Sequence, residues 1–392
     1  MDSAHLSGTS NWSKITWLLR LVAGGGRFGW GTLLLWLVWI LPVQALDIRI
    51  AIDHGVDDVD IGSSTPGVVR DARGEALYQL PELQRITVDE SGGVLSLTDG
   101  QSEFAESRAF WLEPTNNGLV WIGDRWYRGR VLVLPTESGL TAINYVDLEH
   151  YLYSVVGSEM PASWPQDSLQ AQAVAARSYA LYHQGRANNR LFDMGGTQAW
   201  QVYRGIDGEA PTTLAAVDET AGQVLTYAGS IIEAVFHSSS GGHTENSEDV
   251  WSRPVPYLKG VADFDQDAPT YQWQVAFSID EISQRITGVG RIQNLEIMER
   301  SASGRVKQVQ VVGDTDARMM AGKDMRRALG LRSTKFEVAL GPDSFEIHGA
   351  GFGHGIGMSQ WGARGMAQQG HSYDEILTHY YQGTALARLD AR

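Results

Sequence analysis

An acidic residue, Glu159, lies among apolar neighbours in the stretch GSEMPASWP, close to Val156, Met160 and Trp164. Such surroundings disfavour a charged carboxylate and are expected to raise its pKa. A carboxylic acid that keeps its proton near neutral pH is what a general acid requires, and glycosidic bond cleavage is the common reaction that needs one. The alternative is that Glu159 caps a helix or pairs with Arg177, and the residue pattern favours neither interpretation.

A second candidate stretch, HSSSGGHTENSEDVW at residues 237–251, carries polar groups at nearly every position and ends in an aromatic residue. Hydroxyls, amides, carboxylates and an aromatic ring are the groups that bind sugars, because they hydrogen-bond the hydroxyls and stack on the ring face. The same composition is also typical of a flexible surface loop. His237 and His243 are six residues apart, which matches no compact helical pair of metal ligands.

Glycines alternate with larger residues from Gly349 to Gly357 in the stretch GAGFGHGIG. In an extended strand this alternation places every glycine on one face, which a ligand or a packed helix can approach closely. His354 is then either a structural histidine or a ligand contact. The spacing excludes a dinucleotide-binding fingerprint, and Ser240 lies in no nucleophile elbow, so we do not expect serine hydrolysis.

Two helices are predicted to position the acid. The first begins after Asp147 as N-cap and ends at Gly157, because apolar residues recur at helical spacing between them. The second begins with a capping box at Ser163 and continues to about Gly185. A proline separates the two helices, so we expect Glu159 in a tight helix–helix junction rather than on a solvated helix face.

The remaining pattern predicts an α+β fold with a β-rich body. Short alternating runs separated by turn residues extend from residue 46 to about 145. The other predicted elements are helices near 280–287, 323–329 and 359–369, a hairpin of 291–298 and 305–312, and a last helix with a capping box from Ser372 to Glu375.

The N-terminus has the pattern of an export signal. Lys14, Arg20 and Arg27 precede the apolar run LLLWLVWILPV, and small residues follow around Ala45. We expect residues 1–45 to be a signal peptide or an uncleaved membrane anchor. The remaining residues are then expected outside the cytoplasm, in the periplasm or the cell envelope.

Composition limits the chemistry further. The 392 residues include no cysteine, which excludes disulfides and cysteine-rich zinc sites, so we expect no cofactor and no metal. The formal net charge of −15 includes +2 from residues 1–45, which leaves −17 for the rest. Phosphate binding needs a basic surface, so a nucleic-acid partner is not expected. An anionic glycan could still bind through locally placed arginines.

Taken together, SEMPASWP, HSSSGGHTENSEDVW and GFGHGIGMSQWGARGMA resemble the signature segments of the stage II sporulation protein D family, also called the amidase enhancer or LytB-like family. The resemblance covers roughly residues 130 to 392. Together with the export-signal pattern and the alternating runs, it divides the chain into a signal or anchor (1–45), a β-rich N-terminal region (46–130) and a catalytic domain (131–392), within which 263–345 is a candidate subdomain.

The resemblance implies a lytic transglycosylase that cleaves MurNAc–GlcNAc bonds of peptidoglycan strands whose stem peptides have been removed, with Glu159 as the acid. Other relatives are enhancers of an N-acetylmuramoyl-L-alanine amidase, which is the alternative role. Some relatives carry Cys and His in a segment that here reads DMGGTQAWQVY, which weakens the case for zinc further. The residues expected to orient the acid or contact the glycan are Gln172, Arg177, Tyr179, Tyr203, His237, Ser240, Glu245, Glu248, His354 and Gln360.

Overall fold

Strands dominate the N-terminal part of the described chain, as the alternation of apolar and polar residues predicts. The structure is a computed structural model that describes residues 46–389 apart from 101, 188, 190 and 252. The predicted signal peptide or anchor, residues 1–45, lies outside the described residues. Within them, no helix has both the length and the apolar character needed to cross a membrane.

Two sheets form the β-rich body. Their strands are β1 Asp47–Val56, β2 Asp58–Ser63, β3 Gly67–Arg70, β4 Ala76–Leu80, β5 Arg85–Ser91, β6 Val94–Thr98, β7 Glu103–Ser107, β8 Phe110–Pro114, β9 Val120–Ile122, β10 Arg125–Tyr127, β11 Arg130–Thr136, β12 Gly139–Asp147 and β13 Met194–Gly195. One sheet is ordered β13-β1-β12-β11-β8-β3-β4 and the other β10-β9-β2-β5-β6-β7. Antiparallel pairing of β1 with β12 places Ile48 opposite Val146, both buried in the core. The first sheet therefore continues across residue 130, where the sequence suggested a domain boundary.

The α-helices of the described residues all lie after residue 147, and together with the sheets they confirm the predicted α+β class. They are α1 Leu148–Glu159, α2 Gln166–Gln184, α3 Pro211–Glu219, α4 Ser247–Trp251, α5 Ile279–Arg285, α6 Gly322–Leu329, α7 Gln360–Gln368 and α8 Tyr373–Tyr380. The predicted capping box of α8 is confirmed, because the Ser372 N–H donates to Oε2 of Glu375 at 3.0 Å.

The helices beside Glu159 differ from the prediction at their ends. Asp147 caps α1 as expected, but α1 continues past Gly157 to Glu159. Gly157 serves close packing instead: a Cβ there would lie 2.1 Å from the carbonyl oxygen of Gly208. The capping box predicted at Ser163 is also wrong, because α2 begins after Pro165 without a side-chain cap.

A second group of strands has its own core. The sheets β17-β22-β21 and β18-β19-β20, with α5 and α6, enclose buried residues that lie between 277 and 347. The remaining strands are β14 Gln223–Tyr227, β15 Ser230–Ile231, β16 Phe236–His237, β17 Gln272–Ser278, β18 Ile292–Arg300, β19 Val306–Gly313, β20 Ala317–Ala321, β21 Phe336–Leu340, β22 Ser344–Ala350, β23 Met358–Ser359 and β24 Ala385–Arg388. The predicted hairpin is β18–β19, and α6 ends at Gly330 with a φ of +68°, as predicted. Whether 263–345 folds by itself stays a prediction.

Candidate active site

Glu159 is the last residue of α1, which ends because Met160 is extended. Oε1 of Glu159 accepts a hydrogen bond from the Val202 N–H at 3.0 Å, and Oε2 accepts one from Nε2 of Gln360 at 3.1 Å. Burial raises the pKa of Glu159 above its usual range, and the two donors and the charge of Arg204 oppose this only in part. The position at a helix C-terminus, where carbonyl oxygens carry partial negative charge, also disfavours the carboxylate.

The pairing of β16 with β23 brings the distant motifs to this acid. His237 lies opposite Ser359 in this short parallel pair. Ser359 also caps α7, since its Oγ accepts a hydrogen bond from the Gly362 N–H at 3.1 Å. Gln360 is therefore the first residue of α7 and its amide reaches Glu159 from 201 positions along the chain.

Glu159 faces a groove of about 500 Å³, which is a suitable size for a small stretch of glycan. Tyr179, His237, His354 and Gln360, all expected from the sequence, line this groove. Burial raises the pKa of Tyr179 to about 12, so this hydroxyl keeps its proton and can donate a hydrogen bond.

The two histidines of the groove lie side by side, with ring centroids 5.3 Å apart. Nδ1 of His237 donates to the Ile356 carbonyl at 3.1 Å, and its Nε2 has no partner among the described residues. Nε2 of His354 donates to the Phe236 carbonyl at 3.0 Å, and its Nδ1 accepts from the Ile356 N–H. Burial lowers the pKa of both rings, that of His354 to about 4, so both are neutral at neutral pH.

The extended strand predicted for the glycine run is wrong beyond Ala350, where β22 ends. The glycines that follow adopt positive φ, among them Gly353 at +115° and Gly355 at +87°. Protein groups approach them closely: a Cβ at Gly353 would lie 2.8 Å from Cβ of His237, and one at Gly355 would lie 2.3 Å from Nη2 of Arg305. The glycines therefore let the chain turn tightly behind the histidines instead of forming a smooth ligand surface.

Two serines of the polar stretch, Ser239 and Ser240, donate hydrogen bonds to two buried carboxyls. Oγ of Ser240 donates to Oδ2 of Asp263 at 2.5 Å, and Oγ of Ser239 donates to Oδ2 of Asp265 at 2.6 Å. The Gly241 N–H also donates to Asp265 at 2.8 Å. Contrary to the prediction, Ser240 does not line the groove, because its buried hydroxyl hydrogen-bonds Asp263 and stabilises the loop.

The two glutamates of the polar stretch, Glu245 and Glu248, also lie outside the groove. Glu245 is buried and accepts hydrogen bonds from the hydroxyls of Ser301 and Ser303 in the β18–β19 turn. Glu248 forms an ion pair with Lys259 at 2.7 Å. Neither glutamate lines the groove, so the structure does not support the contact with glycan that we predicted for them.

Three further predicted residues lie behind the groove. Arg177 is fully buried and pairs with Glu149, with its Nε 2.8 Å from Oε1, so the interpretation in which it pairs with Glu159 is wrong. Tyr203 is buried and donates to Oδ1 of Asn144 at 2.8 Å. Gln172 is buried on α2, and its amide has no partner among the described residues. These side chains support the helices and do not line the groove around Glu159.

Other side chains that line the groove were missed in the sequence. They include Trp200, Arg204, Glu233, Arg326 and Phe352, whereas Trp251, which also lines the groove, is the aromatic residue of the polar stretch that the sequence had suggested for sugar binding. A signal existed for two of them: Trp200 lies in the segment QAWQVYR, and Glu233 interrupts an apolar run much as Glu159 does. Arg326 lies on α6, and its local sequence distinguishes it in no way from its neighbour Arg327.

The described residues contain no cluster of three or more His, Asp or Glu side chains arranged to hold a metal ion. Among the residues that the structure describes, no carboxylate completes such a set at the His237–His354 pair, and the three hydrogen bonds of its ring nitrogens all go to backbone atoms.

Comparisons with known proteins agree with the three motifs. A family model described as stage II sporulation protein matches residues 136–227, and one described as a domain of unknown function matches residues 245–357. The stage II sporulation protein D of Bacillus subtilis is 33% identical over 318 residues, which are 74% of this chain and 88% of that protein. This chain belongs to the stage II sporulation protein D family.

Two other relatives of this family member are informative. An uncharacterized protein of Brachyspira hyodysenteriae is 34% identical over 277 residues, 69% of this chain and 74% of that protein. The amidase enhancer of Bacillus subtilis is 32% identical over 290 residues, 60% of this chain but only 40% of that protein.

In this stage II sporulation protein D relative, the residues of the groove come from both matched segments. Glu159 and Val202 lie in the segment of the sporulation protein model, whereas His354 and Arg326 lie in the domain of unknown function. Gln360 follows both segments. The groove therefore depends on side chains contributed by both matched regions and by α7.

Proposed function

We propose that the chain is an exported peptidoglycan lytic transglycosylase that cleaves MurNAc–GlcNAc bonds of glycan strands without stem peptides. The observation that carries the proposal is the carboxyl of Glu159, which faces a groove, has a raised pKa and is held between two hydrogen-bond donors. Membership of the family and the Ser-Glu-Met-Pro motif around Glu159 support the same assignment.

In the first step, Glu159 donates its proton to the glycosidic oxygen. The bond between that oxygen and C1 of MurNAc breaks, and GlcNAc leaves with a free hydroxyl. Positive charge develops at C1, and negative charge develops on Glu159. The Val202 N–H and the Gln360 amide already donate to that carboxyl, so they stabilise the new carboxylate without rearrangement.

In the second step, the carboxylate of Glu159 takes the proton of the C6 hydroxyl of the same MurNAc. The C6 oxygen bonds to C1 and closes a 1,6-anhydro ring. No water is consumed, and Glu159 returns to its protonated form. Nε2 of His237, which has no partner among the described residues, can accept a hydrogen bond from a sugar hydroxyl, and the hydroxyl of Tyr179 can donate one. The partly exposed Trp200 offers a face for stacking.

A second carboxyl in the groove, Glu233, requires a separate assignment, because hydrolysis uses two carboxylates. Glu233 lies 3.6 Å from Nε2 of His183 and 3.5 Å from Nη2 of Arg253. Among the described residues, the charged group that shifts the pKa of Glu159 is Arg204, not Glu233. We therefore assign Glu233 no step in the reaction.

The test is product analysis on amidase-treated glycan strands in isotopically labelled water. The expected product is lighter than the hydrolysis product by one water and takes up no labelled oxygen. Glu159→Gln is expected to slow its release on the order of a thousandfold. Glu248→Gln is the matched control, since Glu248 is ion-paired outside the groove, and it should leave the rate unchanged. Labelled product, or an unchanged rate for Glu159→Gln, would contradict the proposal.

The alternative function is that of a glycan-binding enhancer of an N-acetylmuramoyl-L-alanine amidase. It is favoured by the similarity to the Bacillus subtilis protein named amidase enhancer. In this case the wild type and Glu159→Gln would stimulate an added amidase equally, and neither would release sugar fragments.

A further inference from the structure

Arg326 is a partly buried arginine in the last turn of α6 that lines the same groove as Glu159. Its Nε donates to the Leu331 carbonyl at 3.2 Å. Within the part of the chain that the structure describes, no carboxylate forms an ion pair with it, and burial lowers its pKa. The remaining N–H groups of Arg326 are therefore available to a ligand in the groove.

A second guanidinium lies close to Arg326. Arg305 is almost fully buried, its Nη2 donates to the Ser240 carbonyl at 3.2 Å, and its Nε and Nη1 have no partner among the described residues. Burial and the charge of Arg326 lower the pKa of Arg305 to about 10. Positive charge is thus concentrated at the end of the groove where His237 and His354 lie, and it contributes to the lowered pKa of both rings.

In the part of the chain that the structure describes, the other partly or fully buried arginines have a carboxylate partner. Arg177 pairs with Glu149, and Nε of Arg128 lies 2.7 Å from Oε1 of Glu209. A cation removed from water without a counter-charge is unfavourable, and an anion from a ligand would relieve this. The planar fork of an arginine matches the two oxygens of a carboxylate.

We propose that Arg326 is an anion-binding site of the groove and that its ligand is a carboxylate carried by the glycan. The proposal rests on the proposed function for the identity of the glycan. In peptidoglycan, a carboxylate comes from the lactyl group of muramic acid when no peptide is attached, or otherwise from the stem peptide. Arg326 would then recognise the charge of the strand in the same groove that Glu159 faces.

The experiment measures binding of full-length Glu159→Gln protein, so that no strand is cut. The probes are peptide-free glycan strands, the same strands with the lactyl carboxyl converted to its methylamide, and peptide-bearing strands. The test variant is Arg326→Gln in the Glu159→Gln background. Arg327→Gln is the matched control, because Arg327 is the exposed neighbour on α6 and lies 3.6 Å from Asp324.

We expect the parent to bind the free-carboxylate strands more tightly than the methylamide strands. Arg326→Gln should weaken binding of the free-carboxylate strands about ten- to a hundredfold and leave the methylamide strands unchanged, since a charge-assisted hydrogen bond is lost only in the first case. Arg327→Gln should bind all strands like the parent. A loss confined to the peptide-bearing strands would identify the peptide carboxylate as the ligand.

The proposal is overturned if the parent binds free-carboxylate, methylamide and peptide-bearing strands equally, a comparison that needs no further variant to fold. It is also overturned if Arg326→Gln weakens binding of every strand to the same degree. Charge-dependent binding without cleavage by the wild type would contradict the proposed function alone. Cleavage without charge-dependent binding would contradict the role of Arg326 alone, and a parent that binds no strand would contradict both.

Discussion

Glu159 and Asp263 are two largely buried carboxyls with a raised pKa in different surroundings. Burial is the main cause for both, and the neighbouring charge of Asp265 adds to it at Asp263. Asp263 accepts hydrogen bonds from Ser240 Oγ at 2.5 Å and from Tyr380 OH at 2.6 Å, and it does not line the groove beside Glu159. Glu159 accepts two hydrogen bonds and borders open space.

The difference shows that a raised pKa does not by itself identify a general acid. The partners of Asp263 come from the polar loop and α8. Its Oδ1 also packs closely against Gly362 of α7, since a Cβ added there would be only 1.8 Å from it. Asp263 therefore joins the loop to α7 and α8. Glu159 has a similar electrostatic environment but also access to a ligand, so only Glu159 can transfer a proton to one.

The largest expected effect on stability comes from removing the structural carboxyl. Asp263→Ala leaves the hydroxyls of Ser240 and Tyr380 and the N–H of Phe264 without an acceptor. We expect the free energy of unfolding to fall by about 3 kcal/mol, because each buried unsatisfied donor is costly. Urea unfolding monitored by circular dichroism measures this change.

Glu159→Gln is the matched comparison for Asp263→Ala. It should change the free energy of unfolding at neutral pH far less, because the Val202 N–H keeps an acceptor in the amide oxygen. Equal destabilisation by the two substitutions would show that Glu159, like Asp263, serves the fold.

A smaller effect is expected from Gln360→Ala, which removes one donor to Glu159. That donor favours the carboxylate and lowers the pKa of Glu159, so its loss should raise the pKa further. The basic limb of the pH–rate profile for glycan cleavage should then move to higher pH. The maximal rate should fall about tenfold, because the carboxylate formed in the first step loses one hydrogen bond.

Gln368→Ala, at the exposed end of the same helix, is the control for Gln360→Ala and should leave the profile unchanged. A basic limb that stays in place or moves to lower pH in Gln360→Ala would contradict the role of Gln360 as a donor to the acid.

Local signals predicted much of the molecule. Asp147 as N-cap, Gly330 as helix end and the β18–β19 hairpin each depend on residues close together in the chain, and all three are confirmed. Glu159 was recognised as a candidate acid because its neighbours in the sequence are apolar. The structure buries it largely, as those neighbours predicted. Its two donors were harder to find: Gln360 was expected only to contact glycan, and the Val202 N–H is a backbone group that no side-chain pattern reveals.

Failures arose where the partner lies far along the chain. The composition around Ser240 favoured a sugar contact because the acceptor of its hydroxyl, Asp263, comes 23 residues later. The glycine run was predicted as a strand because alternation in sequence does not report positive φ at Gly353 and Gly355. Arg326 could not be distinguished from Arg327 because only the packing of α6 decides which of them faces the groove.

The smallest expected effect is a pH-dependent difference in stability between the wild type and Glu159→Gln. The folded-state pKa of Glu159 is raised, so its contribution to stability is fully present below the unfolded pKa and is lost as pH rises through the folded pKa. The wild type should therefore lose stability relative to the variant as pH rises from about 4, and the difference should become constant above the folded pKa. Urea unfolding of both proteins over this range measures the difference. Asp263, His237 and His354 are present in both proteins, so their titrations largely cancel. A difference that stays constant with pH, or one that favours the wild type as pH rises, would mean that the fold does not hold the proton on Glu159.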